Sequence, residues 1–290
     1  MSISKWLAKN TWSLVGKTVA VSGSTGGLGR ELCRYLASLG AVLVLLDRNP
    51  EKSASLEREL KDEFPTASIS RIRVDMADMS SVVAAADELC KMKIDFLLLN
   101  AGAYSIPRYI CDTGYDNVFQ INFVSPYYLT RRLLPAIRAR GGKVVAVGSI
   151  AHNYSRTDPA DVDFSTRRKA SLVYGNSKRY LMYSLPALAE NASEIAITHP
   201  GITFTGITAH YPKLIFAVIK HPMKVIFMSP RRAALSILWG LFDDCREGEW
   251  IGPRLFDVWG LPRKKKLRTA TAEEIAYIRE TADRIYEKLN

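Results

Sequence analysis

The sequence predicts a doubly wound α/β fold, a parallel sheet with helices packed on both faces. Three observations carry that prediction. Runs at 18–22, 42–46, 69–74, 95–99, 143–148 and 194–199 are strand-like, and most are continuously apolar, the pattern of strands covered on both sides. Helical patterns at 27–39, 51–63, 79–92, 115–139 and 171–191 fill the gaps, so strand and helix alternate through the first two hundred residues. The first strand runs into a glycine-dense turn, Ser22-Gly23-Ser24-Thr25-Gly26-Gly27-Leu28-Gly29, which opens into a helix pattern.

That turn is the first element with chemical content. Leu28, Leu32, Leu36 and Leu39 follow it at helical spacing. Glycines without Cβ let backbone approach a pyrophosphate, and the helix N-terminus points free N–H groups at the anion. The second strand, Val42 to Leu46, ends at Asp47, which places a carboxylate where it can hold a ribose diol. The third strand ends near Asp75, which either faces an adenine edge or caps the helix after it at Met76–Ser80. After residue 200 the rhythm changes. Residues 202–228 are apolar and basic, interrupted by Pro212 and Pro222, and read as a substrate lid. A helix is expected over 230–243, a short strand near 250–256 and a last helix over 271–289. In that helix Thr271 with Glu274 fits a capping box, and Ile275, Ile278, Ala282, Ile285 and Leu289 form one face.

An apolar fraction of 48% over 290 residues supplies a real core and excludes a disordered chain. No linker or repeat divides it, so 1–290 reads as a single domain. Cys33, Cys90, Cys111 and Cys245 have neither metal-ligand nor disulfide-framework spacing, and Cys33 and Cys90, inside helix patterns, are expected in the core. The N-terminal segment around Lys5 and Lys9 lacks the apolar centre of a secretory signal, and no apolar run approaches the roughly 20 residues that cross a bilayer. A soluble, cytoplasmic protein is the expectation. The formal charge of +11 is clumped at Arg131-Arg132, Arg138 with Arg140, Arg167-Arg168-Lys169, Arg231-Arg232 and Arg263 to Lys266. These clumps fall on different elements and read as solvated surface rather than a nucleic-acid face; peripheral membrane contact stays open.

Four residues are candidates for chemistry. Tyr174 and Lys178 stand four apart in a helical pattern and project from one face. A phenol titrates near 10, and a neighbouring ammonium favours its anion. Ser149 follows the strand Val144 to Val147 at the edge where open α/β sheets bind ligands, and its hydroxyl can donate to a substrate oxygen. Asn122 is polar within an otherwise amphipathic helix, where bonding to nearby backbone is the alternative role.

Together these residues resemble the short-chain dehydrogenase/reductase family over roughly residues 16–260. The glycine motif matches the family's cofactor motif, with Ser22 where Thr is usual. Asn100-Ala101-Gly102 matches the segment after the fourth strand, Asn122, Ser149, Tyr174 and Lys178 match the active-site tetrad, and Pro200-Gly201 with Thr205 matches a segment along the nicotinamide. Leu99 and Gly148 depart from the usual Asn and Ser. The 25 positions from Ser149 to Tyr174 are longer than in compact members. The insertion, with Asp158-Pro159, Asp161, Asp163 and Arg167-Arg168, resembles that of retinol-dehydrogenase-like members and is expected to wall the substrate entrance.

The resemblance implies a Rossmann-like fold and carbonyl–alcohol redox with a nicotinamide cofactor. Tyr174 would exchange a proton with the substrate oxygen, Lys178 would lower the Tyr174 pKa and hold the nicotinamide ribose, Ser149 would hold the substrate oxygen, and Asn122 would hold a relay water. Cofactor contacts are implied for Gly23, Ser24, Thr25, Gly27, Leu28, Gly29, Asp47, Arg48, Asp75, Met76, Asn100, Ala101, Gly102, Pro200, Gly201 and Thr205. Asp47 favours NAD(H), because a carboxylate repels a 2′-phosphate, whereas Arg48 favours NADP(H); NAD(H) is the expectation and NADP(H) the alternative. The resemblance also implies a homodimer or higher homo-oligomer through the helices at 115–139 and 171–191, with the C-terminal helix able to obstruct or replace further assembly. The apolar residues of 202–228 suggest a lipophilic alcohol or carbonyl substrate. Competing readings are a nucleotide-sensing protein without turnover, and epimerisation or dehydration on the same fold.

Overall fold

The computed structural model describes residues 2–203, 228–267 and 269–290. Its centre is one eight-stranded sheet. Strands β1 (Thr18–Ser22), β2 (Val42–Asp47), β3 (Ile69–Arg73), β4 (Phe96–Leu99), β5 (Lys143–Val147), β6 (Ile195–Thr198), β7 (Glu249–Leu255) and β8 (Trp259–Lys266) lie in the order 3-2-1-4-5-6-7-8. All neighbours pair in parallel except β7 and β8, which form an antiparallel hairpin. The expected doubly wound fold is therefore present.

The continuous apolar runs have a simple cause. Successive side chains of a strand point to opposite faces, and here both faces are covered. Val44 and Leu46 enter one layer of the core with Ala20, Val144 and Tyr180, while Leu43 and Leu45 enter the other with Val19, Leu32 and Leu36. The helices are α1 (Ile3–Asn10), α2 (Gly27–Ser38), α3 (Pro50–Glu63), α4 (Met79–Cys90), the single turn α5 (Asn117–Phe119), α6 (Ser125–Ala139), α7 (Ala170–Ser184), α8 (Pro230–Phe242) and α9 (Ala272–Leu289). The sheet order reverses between β1 and β4, which opens a crevice at their C-terminal ends.

The structure departs from the sequence expectations at definite places. The stretch at 115–139 is not one helix, because a π-helical turn at Gln120–Val124 separates α5 from α6. The helix expected to reach 191 ends at Ser184, where Pro186 accompanies a tighter 3-10 turn. Helix α1 was not anticipated; Ser2 caps it and Trp6 is buried edge-on against Trp239 at 6.3 Å. Strand β8 was hidden in a basic clump. Its lysines and Pro262 suit an exposed sheet edge, where they discourage further strand pairing. Cys33 is buried as expected, but Cys90, at the last position of α4, is exposed.

Part of the clumped charge is paired. Arg132 meets Asp87 at 2.6 Å, Arg138 meets Glu190 at 2.8 Å and Glu194 at 3.0 Å, and Lys264 meets Asp243 at 3.1 Å. No described helix is long and apolar enough to cross a membrane. The expected lid, from Phe204 to Phe227, lies outside the described residues, and only its flanks are seen, Thr203 bridging to Met228. Helix α9 crosses both helices expected to meet a partner subunit. The Tyr127 hydroxyl on α6 donates to Asp283 at 2.8 Å, Tyr128 packs on Tyr286 at 5.5 Å, and Ile278, Ala282 and Ile285 join the core beside Tyr180 of α7.

Candidate active site

The crevice starts where β1 and β4 end side by side. The Ser22 hydroxyl accepts from the backbone N–H of Asn100 and of Ala101, both at 3.0 Å, and donates to the Leu98 carbonyl at 3.3 Å. A serine hydroxyl suffices for this stitching where Thr is usual. The Asn100 amide donates back to the carbonyls of Ser22 and Gly23, each at 3.0 Å. Gly23 has φ +65°, and a Cβ there would lie 2.9 Å from the Ala101 backbone, so only glycine lets the two loops meet.

Helix α2 begins at an N-cap glycine, Gly26, and no side chain caps it. Its first-turn amides therefore face the crevice without a side-chain acceptor, an arrangement suited to a pyrophosphate. The cleft in front of them measures about 440 Å³. Of the residues expected to contact a cofactor, Gly23, Thr25, Gly27, Leu28, Gly29, Asp47, Arg48, Asp75, Met76, Asn100, Ala101 and Gly102 line it. The glycine loop, the free helix end and this volume fit a dinucleotide.

Of the two acidic residues, Asp47 departs from expectation, while Asp75 takes the first of its two expected places, at the cleft. Asp47 is buried, and its carboxylate is already occupied. Oδ2 accepts from the Ser24 hydroxyl and from the Ser53 hydroxyl at 3.0 Å, while Oδ1 accepts from the Thr25 amide and hydroxyl, both at 3.1 Å. Four bonds fill the acceptor sites of a carboxylate. Asp47 thus braces the glycine loop against β2 and α3. The Ser24 side chain, expected at the cofactor, is buried and points inward to this brace. Asp75 does not cap α4. Asp78 does, accepting from Ser80 at 3.0 Å and Ser81 at 3.3 Å, which leaves Asp75 at the cleft with Arg48 Nε 4.0 Å away. The Arg48 side chain is 73% exposed at the cleft's outer end, beside Asn49 and Lys52, which the sequence reading did not single out.

The inner end collects the remaining candidates. Asn122 is wholly buried in the π-helical turn, a local irregularity common at functional sites. Its side-chain oxygen accepts from the Ala103 amide at 3.0 Å and its side-chain nitrogen donates to the Ala103 carbonyl at 2.8 Å. A Cβ on Gly102 would meet that oxygen at 3.0 Å and the Lys178 ammonium nitrogen at 3.6 Å, so these three residues converge on one point. Lys178 is buried and donates to the Val147 carbonyl at 2.8 Å. Burial pulls it down to about 7, so near neutral pH it both holds and releases a proton. Tyr174 is pushed up to about 12 by burial, opposed by a hydrogen bond with the Ser149 hydroxyl and reinforced by neighbouring Tyr104 and Tyr154. The expected lowering by Lys178 is not in place here, because its nitrogen is turned to Val147 and stands 5.8 Å from the Tyr174 ring centre.

The Ser149 hydroxyl accepts from the Ala151 amide at 3.2 Å, which fixes the residue at the start of a 3-10 turn and keeps its hydroxyl beside that of Tyr174. Gly148 also finds its reason here. A Cβ at that position would sit 2.7 Å from Met182 Sδ, so the methionine occupies the space a serine would need. Pro200 and Gly201 follow β6, where Gly201 has φ +82° and lies against Val258 and Met228; Thr205 lies outside the described residues. Tyr104, an aromatic two positions beyond Gly102, was missed from sequence. It packs edge-on against Tyr174 at 5.2 Å and joins the cofactor cleft to the catalytic end.

Known proteins resemble this chain in sequence and fold. The sequence profile of the short chain dehydrogenase family matches residues 17–159. An uncharacterized oxidoreductase of Schizosaccharomyces pombe is 30% identical over 256 residues, covering 81% of this chain and 75% of that protein. The short chain dehydrogenase resG of Aspergillus sclerotiorum is 33% identical over 224 residues, 65% of this chain; there the match spans 62% of the relative's length, less than two thirds. The crystal structure of an uncharacterized protein from Mycobacterium paratuberculosis shares the fold at a TM-score of 0.76 and 23% identity, with 97% of each chain covered. With its glycine loop, its uncapped helix end and the Asn, Ser, Tyr and Lys gathered at one end of the cleft, this chain belongs to the short-chain dehydrogenase family of nicotinamide-dependent oxidoreductases.

Proposed function

We propose that the chain interconverts a lipophilic alcohol and its ketone or aldehyde. The observation that carries this reading is the convergence of Ser149, Tyr174, Lys178 and Asn122 next to Gly102 and Tyr104, which line a cleft of about 440 Å³. A bound nicotinamide would supply the hydride chemistry. Ser149, beside Tyr174, donates its hydroxyl proton to the substrate oxygen when substrate is bound and steadies charge there. Tyr174 exchanges the proton with that oxygen, and Lys178, whose affinity for its proton burial weakens, passes it on. Asn122 fixes the Ala103 backbone beside Lys178. Tyr104, Ile106 and Tyr154 put aromatic and apolar surface near Tyr174, which favours an apolar substrate body.

The cofactor reading moves from NAD(H) to NADP(H). The carboxylate that would hold a ribose diol and repel a phosphate has its acceptor sites filled by the glycine loop and Ser53. The exposed Arg48 guanidinium and Lys52 stand at the outer end of the cleft, where a 2′-phosphate would lie. The position of α9 across α6 and α7 favours a monomer over the dimer that the family implies.

Tyr174→Phe tests the reaction. It deletes one hydroxyl and keeps the ring, so cofactor affinity stays near wild type while turnover falls at least a hundredfold on the best substrate of an alcohol and ketone screen. Near-normal turnover by the variant defeats the assignment, and a clear preference for polar sugars defeats the lipophilic part alone.

A further inference from the structure

The residue after Lys178 is an arginine with 1% of its surface exposed, and no step above uses it. Arg179 forks onto Glu274 in the first turn of α9, with Nε donating to Oε1 at 2.7 Å and Nη2 to Oε2 at 2.6 Å. Its other donors go to two backbone carbonyls and, from Nη1 at 3.4 Å, to the Thr269 hydroxyl. Nη1 reaches His152 at 2.9 Å, three residues beyond Ser149, and Nη2 reaches Thr269 at 2.7 Å, just before α9. Glu274 is shared in turn with the head of the insertion. It accepts from the Thr157 amide at 3.0 Å, the Thr157 hydroxyl at 3.3 Å and the Arg156 guanidinium at 3.2 Å. His152 closes the circuit, because its ring nitrogen lies 2.6 Å from the Ser149 carbonyl.

One buried ion pair therefore ties together the helix that carries Tyr174 and Lys178, the turn that carries Ser149, the Tyr154–Thr157 stretch and the C-terminal helix. We propose that Arg179 and Glu274 are positioning residues that set the separation of Ser149 from Tyr174, so that α9 supports the active site from within the same chain. The proposal rests on the tetrad reading above. It follows from chemistry as well as placement. Desolvating two charges costs several kcal/mol, and apolar residues would fill the same space at no such cost. A planar bidentate fork fixes direction as well as distance, which apolar packing does not. Errors of about 1 Å between reacting groups cost up to about a hundredfold in rate.

The test uses the full chain with Glu274→Gln, which keeps the shape but turns one arm into a donor facing Arg179. Arg179→Lys is the second variant, since it keeps the charge without the fork and remains able to fold. Cofactor binding by fluorescence titration and thermal unfolding establish the folded fraction. The expected result, per folded molecule, is a roughly tenfold lower kcat with cofactor affinity unchanged. The limb of the kcat–pH profile governed by Tyr174 also moves, by about half a pH unit or more, because its Ser149 contact has loosened. Arg156→Ala removes only the exposed partner of Glu274 and leaves kcat as it was. A folded Glu274→Gln or Arg179→Lys protein with wild-type kcat and pH limb overturns the proposal, as does an activity loss equal to the loss of folded protein. Tyr174→Phe, run alongside, separates the two readings. An inactive Tyr174→Phe beside a normal Glu274→Gln removes only the positioning role, whereas an active Tyr174→Phe removes the tetrad reading and this one with it.

Discussion

Asp47 is where a family-based expectation and the structure lead to opposite experimental outcomes. Asp47→Asn replaces one carboxylate oxygen by an amide NH2, which cannot accept. If the amide nitrogen takes the Oδ2 place, the Ser24 and Ser53 hydroxyls must turn to accept from it and two charge-assisted bonds become neutral ones; if it takes the Oδ1 place, the Thr25 hydroxyl must turn and the Thr25 backbone N–H loses its acceptor. Hydrogen bonds to a charged acceptor contribute about 1.5–3 kcal/mol each, and partial relaxation reduces the sum, so the loop loses about 2–4 kcal/mol of support. That loop presents the amides that meet the pyrophosphate common to both cofactors. Asp47→Asn should therefore weaken NADH and NADPH together, by tenfold or more since about 1.4 kcal/mol is a factor of ten, and should lower the unfolding midpoint as well. Arg48→Ala should act on NADPH alone, by about tenfold, because it removes one charge-assisted contact at the exposed end of the cleft. Calorimetric titration of both cofactors into both variants distinguishes the cases. A selective loss of NADH affinity, or a gain in NADPH affinity, on Asp47→Asn would show that the carboxylate serves the ribose and that the brace is secondary.

Three further outcomes follow from particular contacts. Gly148→Ala should cost about 1–3 kcal/mol in urea unfolding through the clash with Met182, and Met182→Ala in the same chain should recover part of that loss; strictly additive losses would refute the packing account. Glu274 is pushed up by burial but drawn down further by Arg179, Thr157 and Arg156, from an ordinary 4.5 to about 2. Its folded pKa lies below its unfolded one, so its contribution, at most about 3 kcal/mol, is complete above pH 4.5 and is lost as the pH falls from there toward 2. Glu274→Gln should flatten the stability curve in that window, and an unchanged acid limb would count against the pairing. Light scattering across a concentration series should report a monomer, and a dimer that persists on dilution would show that α9 does not replace a partner subunit.

Much of the fold was legible because its signals are local. An apolar run, a glycine turn and an amphipathic helix are each written within about fifteen residues, and their repetition implies a parallel sheet covered on both faces. The four candidates for chemistry were picked out by the family resemblance, because each sits at the place on its own element where that family carries the same residue type. The misreadings depend on partners distant in the chain. Cys90 and Cys33 look alike in sequence, yet only Cys33 faces the core. The π-helical turn at Asn122 breaks a helix whose pattern reads straight through it, and β8 is a strand because β7 pairs with it, despite its lysines and proline.

The same division separates what the sequence determined from what the tertiary structure decided. Composition, periodicity and motif spacing determined the layer architecture and the glycine loop, because those follow from backbone preference and side-chain type, and the family resemblance marked Asn122, Ser149, Tyr174 and Lys178 as the candidates for chemistry. Only the tertiary structure decided that Asp47 turns inward to Ser24, Thr25 and Ser53, that Met182 takes the space beside Gly148, and that Arg179 joins Glu274 across 95 residues of chain. Where a charged side chain finds its partners is a competition among groups brought together by folding. Hydrogen-bond geometry and desolvation in the finished core settle it, and neither is encoded in the spacing of one residue from its neighbours.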